Sequence, residues 1–209
     1  MKVLFLTGDY WHSAESIRPL AEKLFPDGNY VYTEDPKVFL VGDYDLLILF
    51  KDTVENNQIP TPCWADEEWT ERLLKKLREG MGLMAIHAGM ADLKPDHPLV
   101  KELYHGAFLG HPAQCPLSFR PVREHPLLEG IKEFTYPDKD EHYHMGMLPG
   151  SEGEILAVTV SEHGEQPGLW AHGYGKGKVC MFTPAHDTPN LTCDPNVRLF
   201  RNMIRWCTE

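Results

Sequence analysis

The chain of 209 residues has few positive charges and no stretch in which they cluster. It carries 20 lysines and arginines against 31 aspartates and glutamates, which gives a formal net charge of -11 at pH 7. Such a surface repels a phosphate backbone, so we expect no nucleic-acid partner. No apolar run approaches the roughly 20 residues of a membrane span, and we expect no membrane association.

Cysteine is also scarce and shows no pairing pattern. The five cysteines are irregularly spaced, and no Cys-x-x-Cys pair occurs. The first eleven residues contain too few consecutive apolar residues for the core of a secretory signal, which needs roughly 7–15. The sequence therefore predicts a reduced, cytoplasmic protein. Its length predicts one domain over residues 1–209.

Short apolar runs alternate with amphipathic segments in the first half of the chain, as in a parallel α/β sheet. Strands are predicted there at 3–7, 30–33, 44–50 and 82–86. Helices are predicted at 17–25, with Ser16 as N-cap, and at 66–79. The second half predicts a short helix near 97–105, strands at 117–122, 155–160, 168–173 and 178–183, and a final helix capped by Asp194. The pattern predicts a mainly parallel sheet with antiparallel additions in the C-terminal half.

The segment 81–90, MGLMAIHAGM, places small residues two positions before and two after His87. This is the spacing of a nucleophile elbow, where a strand turns sharply into a helix and displays one side chain over the sheet edge. A following helix N-terminus would favour neutral imidazole. His87 is thus a candidate base, hydrogen-bond partner or metal ligand. The alternative is a histidine that only fixes the turn.

Two further histidines follow predicted strands. His12 lies in the loop after the first strand and His186 after the last, so three imidazoles are expected at one sheet edge, where α/β proteins bind ligands. Asp187 could orient His186. Trp11, beside His12, could stack on a sugar ring or could equally be a core aromatic.

The run Asp140–His144, DEHYH, concentrates carboxylates and imidazoles in five residues. In an extended segment Glu141 and Tyr143 would face one way and His142 the other, and either face could hold a metal or transfer protons. A solvated loop is the alternative. His111 precedes a proline, as loop histidines often do, but follows an apolar segment, so a ligand role stays open.

The chain carries a set of segments in a distinctive order: the loop with His12, GMGLMAIHAG at the elbow, GAFLGHP (106–112), HPLLEGI (125–131), DEHY (140–143), PGLWAHGYGKGKV (167–179), His186-Asp187 and the terminal FRNMIRW. Together they resemble the ThuA-like, or trehalose-utilisation, family over nearly the whole chain. The resemblance implies a class I glutamine amidotransferase-like fold, which is a flavodoxin-like α/β/α sandwich.

The resemblance also shows what this chain lacks. Glutamine amidotransferases of this fold carry a nucleophilic cysteine at the elbow and a glutamate two residues after the catalytic histidine. Here those positions hold His87 and Thr188. Because imidazole is a poor substitute for a thiolate attacking an amide, we expect no glutaminase activity.

The family is linked to the use of trehalose and related disaccharides through oxidised keto-sugar intermediates. The resemblance therefore implies a protein that acts on a carbohydrate by His/Glu acid–base or metal-assisted chemistry. The alternatives are a non-catalytic sugar-binding or regulatory module and a purely structural role. No cofactor is fixed by the sequence, although a divalent metal such as zinc fits the residues, and a homo-oligomer is left open. The candidate residues are His87, His186 and Glu141 for catalysis, His12, Trp11, Tyr143 and Asp187 for substrate, and His87, His111, His142 and His186 for metal.

Overall fold

The computed structural model describes residues 1–151 and 154–209, and its strands form where the sequence is most apolar. Every residue of β1 (Val3–Thr7), β3 (Leu46–Phe50) and β4 (Gly82–Ile86) is buried, as expected for strands covered on both faces. These three lie side by side in parallel, between β2 (Val31–Thr33) and β11 (Gly177–Phe182). The predicted parallel sheet is confirmed.

The remaining strands extend this sheet in antiparallel fashion. Next to β11 come β10 (Gly164–Tyr174), β9 (Ile155–Ser161), β6 (Ser118–Pro121) and β7 (Phe134–Thr135), which completes a nine-stranded sheet. A separate two-stranded sheet pairs β5 (Gly106–Gly110) with β8 (His144–Met147) and was not predicted.

Helices cover both faces of the large sheet. On one face pack α1 (Ala14–Leu24), α4 (Thr188–Leu191) and α5 (Asp194–Thr208), and on the other pack α2 (Lys37–Val41) and α3 (Glu67–Glu79). The three layers confirm the predicted flavodoxin-like α/β/α sandwich. None of the helices in the described part of the chain has the length and apolar character needed to cross a membrane.

Two predicted helix caps are wrong, one by three residues and one by a single residue. The N-cap of α1 is Ser13, not Ser16, and its Oγ accepts the Ser16 N–H at 3.2 Å. Pro19 therefore lies inside the helix, where burial of Ala14 and Ile17 offsets the lost backbone hydrogen bond. Helix α5 is capped by Cys193 rather than Asp194, which is its first helical residue.

Candidate functional site

The carboxyl ends of three strands in the parallel part of the sheet bring three histidines together. His12 lies in the loop after β1, His87 follows β4 directly, and His186 follows β11. His186 Nδ1 is 3.0 Å from His12 Nε2 and 3.3 Å from His87 Nε2. The expected meeting of these imidazoles at one sheet edge is therefore confirmed.

The elbow is present, but it differs from the expected one in two ways. His87 has a φ of 48°, a left-handed conformation that is strained for a residue with a side chain. A single 3₁₀ turn, His87–Met90, follows it instead of a helix, so no helix dipole acts on the ring. Moreover, His87 is 0% exposed rather than displayed to solvent, because Tyr143 stacks on it with ring centres 4.1 Å apart. The imidazole of His87 therefore contacts Tyr143 and Glu141 and does not open directly to the cleft.

Hydrogen bonds fix which nitrogen of His87 and of His12 faces the cluster. His87 Nδ1–H donates to the carbonyl of Thr183 at 2.7 Å, and His12 Nδ1–H donates to Asp9 Oδ1 at 2.8 Å. A carbonyl or carboxylate oxygen only accepts, so each ring carries a proton on Nδ1. Each ring then directs its Nε2 towards His186, and His87 Nε2 also faces Glu141.

Asp9 organises the loop that carries His12. Its carboxylate also accepts the backbone N–H groups of Trp11, His12 and Asp52, each at 2.9 Å. Burial favours a higher pKa for Asp9, but His12 and these N–H groups outweigh it, and the pKa lies below its ordinary value. Burial also lowers the pKa of His12 despite the Asp9 carboxylate. The pair is thus an ionised carboxylate beside a neutral imidazole.

Glu141 supplies a carboxylate to the same point. Its Oε2 lies 3.3 Å from His87 Nε2, and its Oε1 lies 3.4 Å from His186 Nδ1. Burial opposes ionisation of Glu141, but the bonds from His186 and His87 hold its pKa below the ordinary value. Burial likewise disfavours the charged form of His186, yet Glu141 raises the pKa of that imidazole. The loop that carries His186 is held by buried Asp140. Its carboxylate accepts hydrogen bonds from the backbone N–H groups of Ala185 at 2.6 Å and His186 at 2.9 Å.

The four side chains fit a divalent metal ion. One ligand atom from each of His12, His87, Glu141 and His186 lies within 4.8 Å of the others. Zinc–nitrogen bonds of about 2.0–2.1 Å place tetrahedral ligands about 3.3–3.4 Å apart, close to the separations found here. The Asp9 carboxylate and the Thr183 carbonyl hold two of the rings from behind, as outer-shell partners do at metal sites.

A second group, His105, Glu154 and His172, also lies within ligand distance but suits a metal less well. Both ring nitrogens of His172 face backbone carbonyls, Leu103 O at 2.7 Å and Gly173 O at 3.0 Å. A backbone carbonyl therefore lies within hydrogen-bond distance of each ring nitrogen, in the place that a metal ion would take.

A cleft of 280 Å³ opens beside the four-residue cluster. Its lining residues include Glu141, Tyr143, Trp11, Phe108, Asn57, Asp52 and Asp92. Aromatic faces combined with hydrogen-bonding groups suit a polyhydroxylated ring. A larger open groove of 890 Å³ runs along α3 and contains none of the cluster residues.

Three predicted site residues are not members of the four-residue cluster. His142 faces the opposite way, as alternation along an extended segment requires, and its Nδ1 bonds Ser161 Oγ at 2.7 Å. The prediction that His142 binds a metal together with His87 and His186 is therefore wrong. His111 stands at the rim of the cleft, with Nε2 3.6 Å from Glu141. Asp187 is 3.7 Å from His186 Nε2, too far for a hydrogen bond that would orient the ring.

Two of the residues predicted to bind substrate, Trp11 and Tyr143, line the cleft. Trp11 is half exposed at the cleft, with its Nε1–H donating to Asn57 Oδ1 at 3.0 Å, so it is not a core aromatic. Tyr143 shares the face of Glu141, as the alternation predicted.

Sequence reasoning missed three aspartates. Asp9 and Asp52 follow β1 and β3 closely, and this position after a buried strand was the available signal. Burial raises the pKa of Asp52 to about 8, and the like charges of Asp92 and Asp9 act in the same direction. The position of Asp92 in the cleft depends on the turn after the elbow, and the sequence carries no comparable signal for that turn.

Known proteins resemble this chain along its whole length. A sequence model of the ThuA family, described as trehalose utilisation, matches residues 2–207. A ThuA-like protein from Parabacteroides merdae is 18% identical, with a TM-score of 0.76 over 100% of this chain and 90% of that one. A ThuA-like protein from Bacteroides uniformis is 17% identical, with a TM-score of 0.75 over 99% and 91%.

A Salmonella typhimurium protein described as cytoplasmic is also 17% identical, with a TM-score of 0.65 over 100% of both chains. At these identities the solved structures support the fold alone. No curated protein matches the chain.

Proposed function

The chain belongs to the ThuA family of trehalose utilisation, and from that membership we propose that it is a metal-assisted enzyme acting on a sugar or sugar derivative that carries a keto group. The observation that carries the proposal is the convergence of three imidazoles and a carboxylate beside a small cleft. Two of the imidazoles direct Nε2 at the third, and the Glu141 carboxylate lies against them, an arrangement that suits a cation. The aromatic and hydrogen-bonding walls of the cleft suit a sugar ring.

In this proposal His12, His87 and His186 hold the ion, with zinc as the preferred metal because imidazole and carboxylate suit it. A bound zinc ion acts as a Lewis acid towards a keto oxygen. His87 is fully buried, so it serves as a ligand and not as a group that touches substrate. Asp9 and the Thr183 carbonyl keep the rings in the ligating tautomer.

Glu141 is the proton-transfer group. It borders both the imidazoles and the cleft, so its carboxylate can reach a proton on the carbon next to a keto group. Trp11 at the rim offers its ring face to the sugar. A glutaminase reaction has no support, because the elbow carries an imidazole and Thr188 stands where a triad glutamate would be.

Cytoplasmic location is part of the same proposal. Five free cysteines in the described structure suit a reducing compartment, and a structural relative from Salmonella typhimurium is described as cytoplasmic.

The first experiment is elemental analysis of tag-free protein. We expect close to one zinc per chain in the wild type and in His105→Ala, the control at the second histidine group. His87→Ala should retain much less. Wild-type protein that folds but takes up no divalent metal, even after zinc is added, would contradict the metal-assisted proposal.

The second experiment separates an enzyme from a non-catalytic binding module. Wild type, His87→Ala and Glu141→Gln are incubated with a panel of keto-disaccharides, and the products are followed by mass spectrometry. An enzyme forms product that both variants lose. Saturable binding with no product from any member of the panel favours the binding module.

A further inference from the structure

The loop after β3, residues 51–63, is joined to two other loops that line the cleft. On one side it meets the loop after β1, where the Tyr10 N–H donates to the Glu55 carbonyl at 3.0 Å. On the other side it meets the turn after the elbow, where the buried Thr53 hydroxyl donates to the Ala91 carbonyl at 2.8 Å. The three loops therefore hold one another in place beside the cleft.

Asn57, in the middle of this loop, joins two cleft residues through its side-chain amide. The Trp11 indole Nε1–H donates to Asn57 Oδ1 at 3.0 Å, and Asn57 Nδ2 donates to Asp92 Oδ2 at 2.9 Å. Because an indole only donates and a carboxylate only accepts, these partners fix the orientation of the amide. The amide accepts from one partner and donates to the other, which neither a carboxylate nor an aliphatic side chain in its place could do.

Trp11 and Asp92 present complementary groups to a bound sugar. Trp11 is 50% exposed and lines the cleft, so its ring is open to an incoming molecule. The faces of a pyranose ring are apolar and pack on an aromatic face, whereas its edge carries hydroxyl groups. A carboxylate has about four acceptor positions, and the Asn57 amide takes one of those of Asp92. Asp92 can therefore accept sugar hydroxyl groups while Asn57 holds it.

The volume of the cleft limits how much sugar it can hold. At 280 Å³ the cleft lies just below the roughly 300–1,000 Å³ of pockets that bury a drug-sized ligand. A disaccharide is a ligand of that size, whereas a single pyranose ring is smaller. The cleft thus matches one ring, and a second ring would extend beyond it.

We propose that Trp11 and Asp92 bind one keto-pyranose ring in this cleft and that Asn57 is the positioning residue that holds both. Trp11 covers a face of the ring, Asp92 accepts hydrogen bonds from its hydroxyl groups, and the group attached to the ring stays outside. The substrate class is therefore a keto-glycoside recognised through one ring, with little selection on the attached group. Because it names the substrate of the reaction above, this inference rests on the proposed function.

NMR spectroscopy of the indole N–H groups tests the Asn57 bridge before any sugar is added. The Trp11 signal is identified by its loss in Trp11→Phe. It should move in Asn57→Ala and stay close to its place in Asn57→Asp, which can still accept the bond. The control is Asn29→Ala, at an exposed asparagine that does not line the cleft, and it should leave the signal unchanged. An unmoved Trp11 signal in Asn57→Ala would overturn the positioning role.

Asn57 is itself exposed, so its variants leave no buried group unpaired at position 57 and should fold. The NMR spectra of the variants report this directly, because the signals of the other tryptophans should keep their dispersion.

Isothermal titration calorimetry measures the recognition with two probes, a methyl keto-glucopyranoside and a keto-disaccharide that contains the same ring. Wild type and Asn29→Ala should bind the two sugars with affinities within about fivefold of each other. Asp92→Asn keeps a residue that tolerates the left-handed φ of 56° but lacks the charged acceptor, and it should bind both sugars about 10-fold more weakly. Asn57→Ala should bind them about 3–10-fold more weakly. Absence of binding by the wild type, equal affinity in all four proteins, or a larger preference for the disaccharide would overturn the proposal.

Zinc content and product formation separate this inference from the proposed function. Asn57→Ala and Asp92→Asn should retain the zinc content of the wild type, because neither residue belongs to the four-residue cluster. On a keto-sugar that the wild type converts, Asn57→Ala should raise KM and leave kcat nearly unchanged, as expected for a contact that serves ground state and transition state alike. Product formation by wild type, with unchanged affinity in the cleft variants, refutes this inference alone. A wild type that neither takes up zinc nor forms product contradicts the proposed function.

Discussion

Zinc binding should raise the thermal stability of this protein through the four-residue cluster. In a regular tetrahedron the edge is about 1.63 times the distance from centre to corner. The separations of 3.0 and 3.3 Å from His186 Nδ1 to Nε2 of His12 and of His87 are the edges expected for ligands about 1.8–2.0 Å from a central ion, close to the Zn–N distance. The folded chain is thus already arranged for the ion, whereas the unfolded chain is not.

This difference sets the size of the effect. Free zinc at 100 times its dissociation constant stabilises a folded protein by about 2.7 kcal/mol when the unfolded chain does not bind it. For a chain of this size each kcal/mol raises Tm by about 2–4 °C, so we expect a rise of about 5–11 °C. Any binding of zinc by the unfolded chain reduces the shift.

Differential scanning calorimetry after chelation and zinc titration measures the shift. His105→Ala should show the full wild-type rise, and His87→Ala should show little or none. The buried environment of His87 makes its alanine variant less stable in itself, so the comparison is the zinc-dependent rise within each variant. Equal rises in His87→Ala and wild type would refute the assignment of the cluster as the metal site.

Other perturbations test the groups around the cluster. Asp9→Asn removes the carboxylate behind His12 and should weaken zinc binding about 10–100-fold, as measured by competition with a chelating dye. The lowered pKa of Asp9 means that its stabilisation is present above its unfolded pKa and is lost as pH falls through the folded value. Stability of the variant, measured by urea unfolding, should therefore depend less on pH below about 4. Gly89→Ala should lower the free energy of unfolding by about 1–3 kcal/mol, because its Cβ would overlap the Leu49 carbonyl, whereas Gly173→Ala meets only one atom, at 3.9 Å. Equal losses in the two glycine variants would contradict the tight elbow.

The fold and the meeting of the histidines could be predicted because both follow from local pattern. Continuous apolar runs mark strands covered on both faces, and parallel strands must present their carboxyl ends at one edge. His12, His87 and His186 stand directly after such runs, so their proximity follows from topology alone. The start of α1 was missed because proline favours the first turn of a helix, which pointed to Ser16 as the cap, whereas Pro19 lies inside the helix that Ser13 caps.

The other parts of the site depend on contacts between distant segments. Alternation separated Glu141 from His142 but could not say which of them meets the sheet edge. Two contacts make that choice: the backbone β-bridge between Cys115 and Asp140, and the hydrogen bonds that the Asp140 carboxylate accepts from the loop of His186. The position of Asp92 in the cleft wall depends on a left-handed backbone conformation, which the turn after His87 adopts only in the packed structure.

The histidine at the elbow follows from what this turn demands. A left-handed φ and a neighbouring glycine pressed against a strand carbonyl constrain the backbone at His87 and Gly89, whereas the side chain at position 87 is free to vary chemically. A cysteine there would need an open path to substrate, but Tyr143 and Glu141 cover the position. A buried imidazole whose Nδ1–H is bonded to Thr183 offers one lone pair in a fixed direction. The same strained turn that presents a nucleophile in other proteins can therefore present a ligand for a metal ion here.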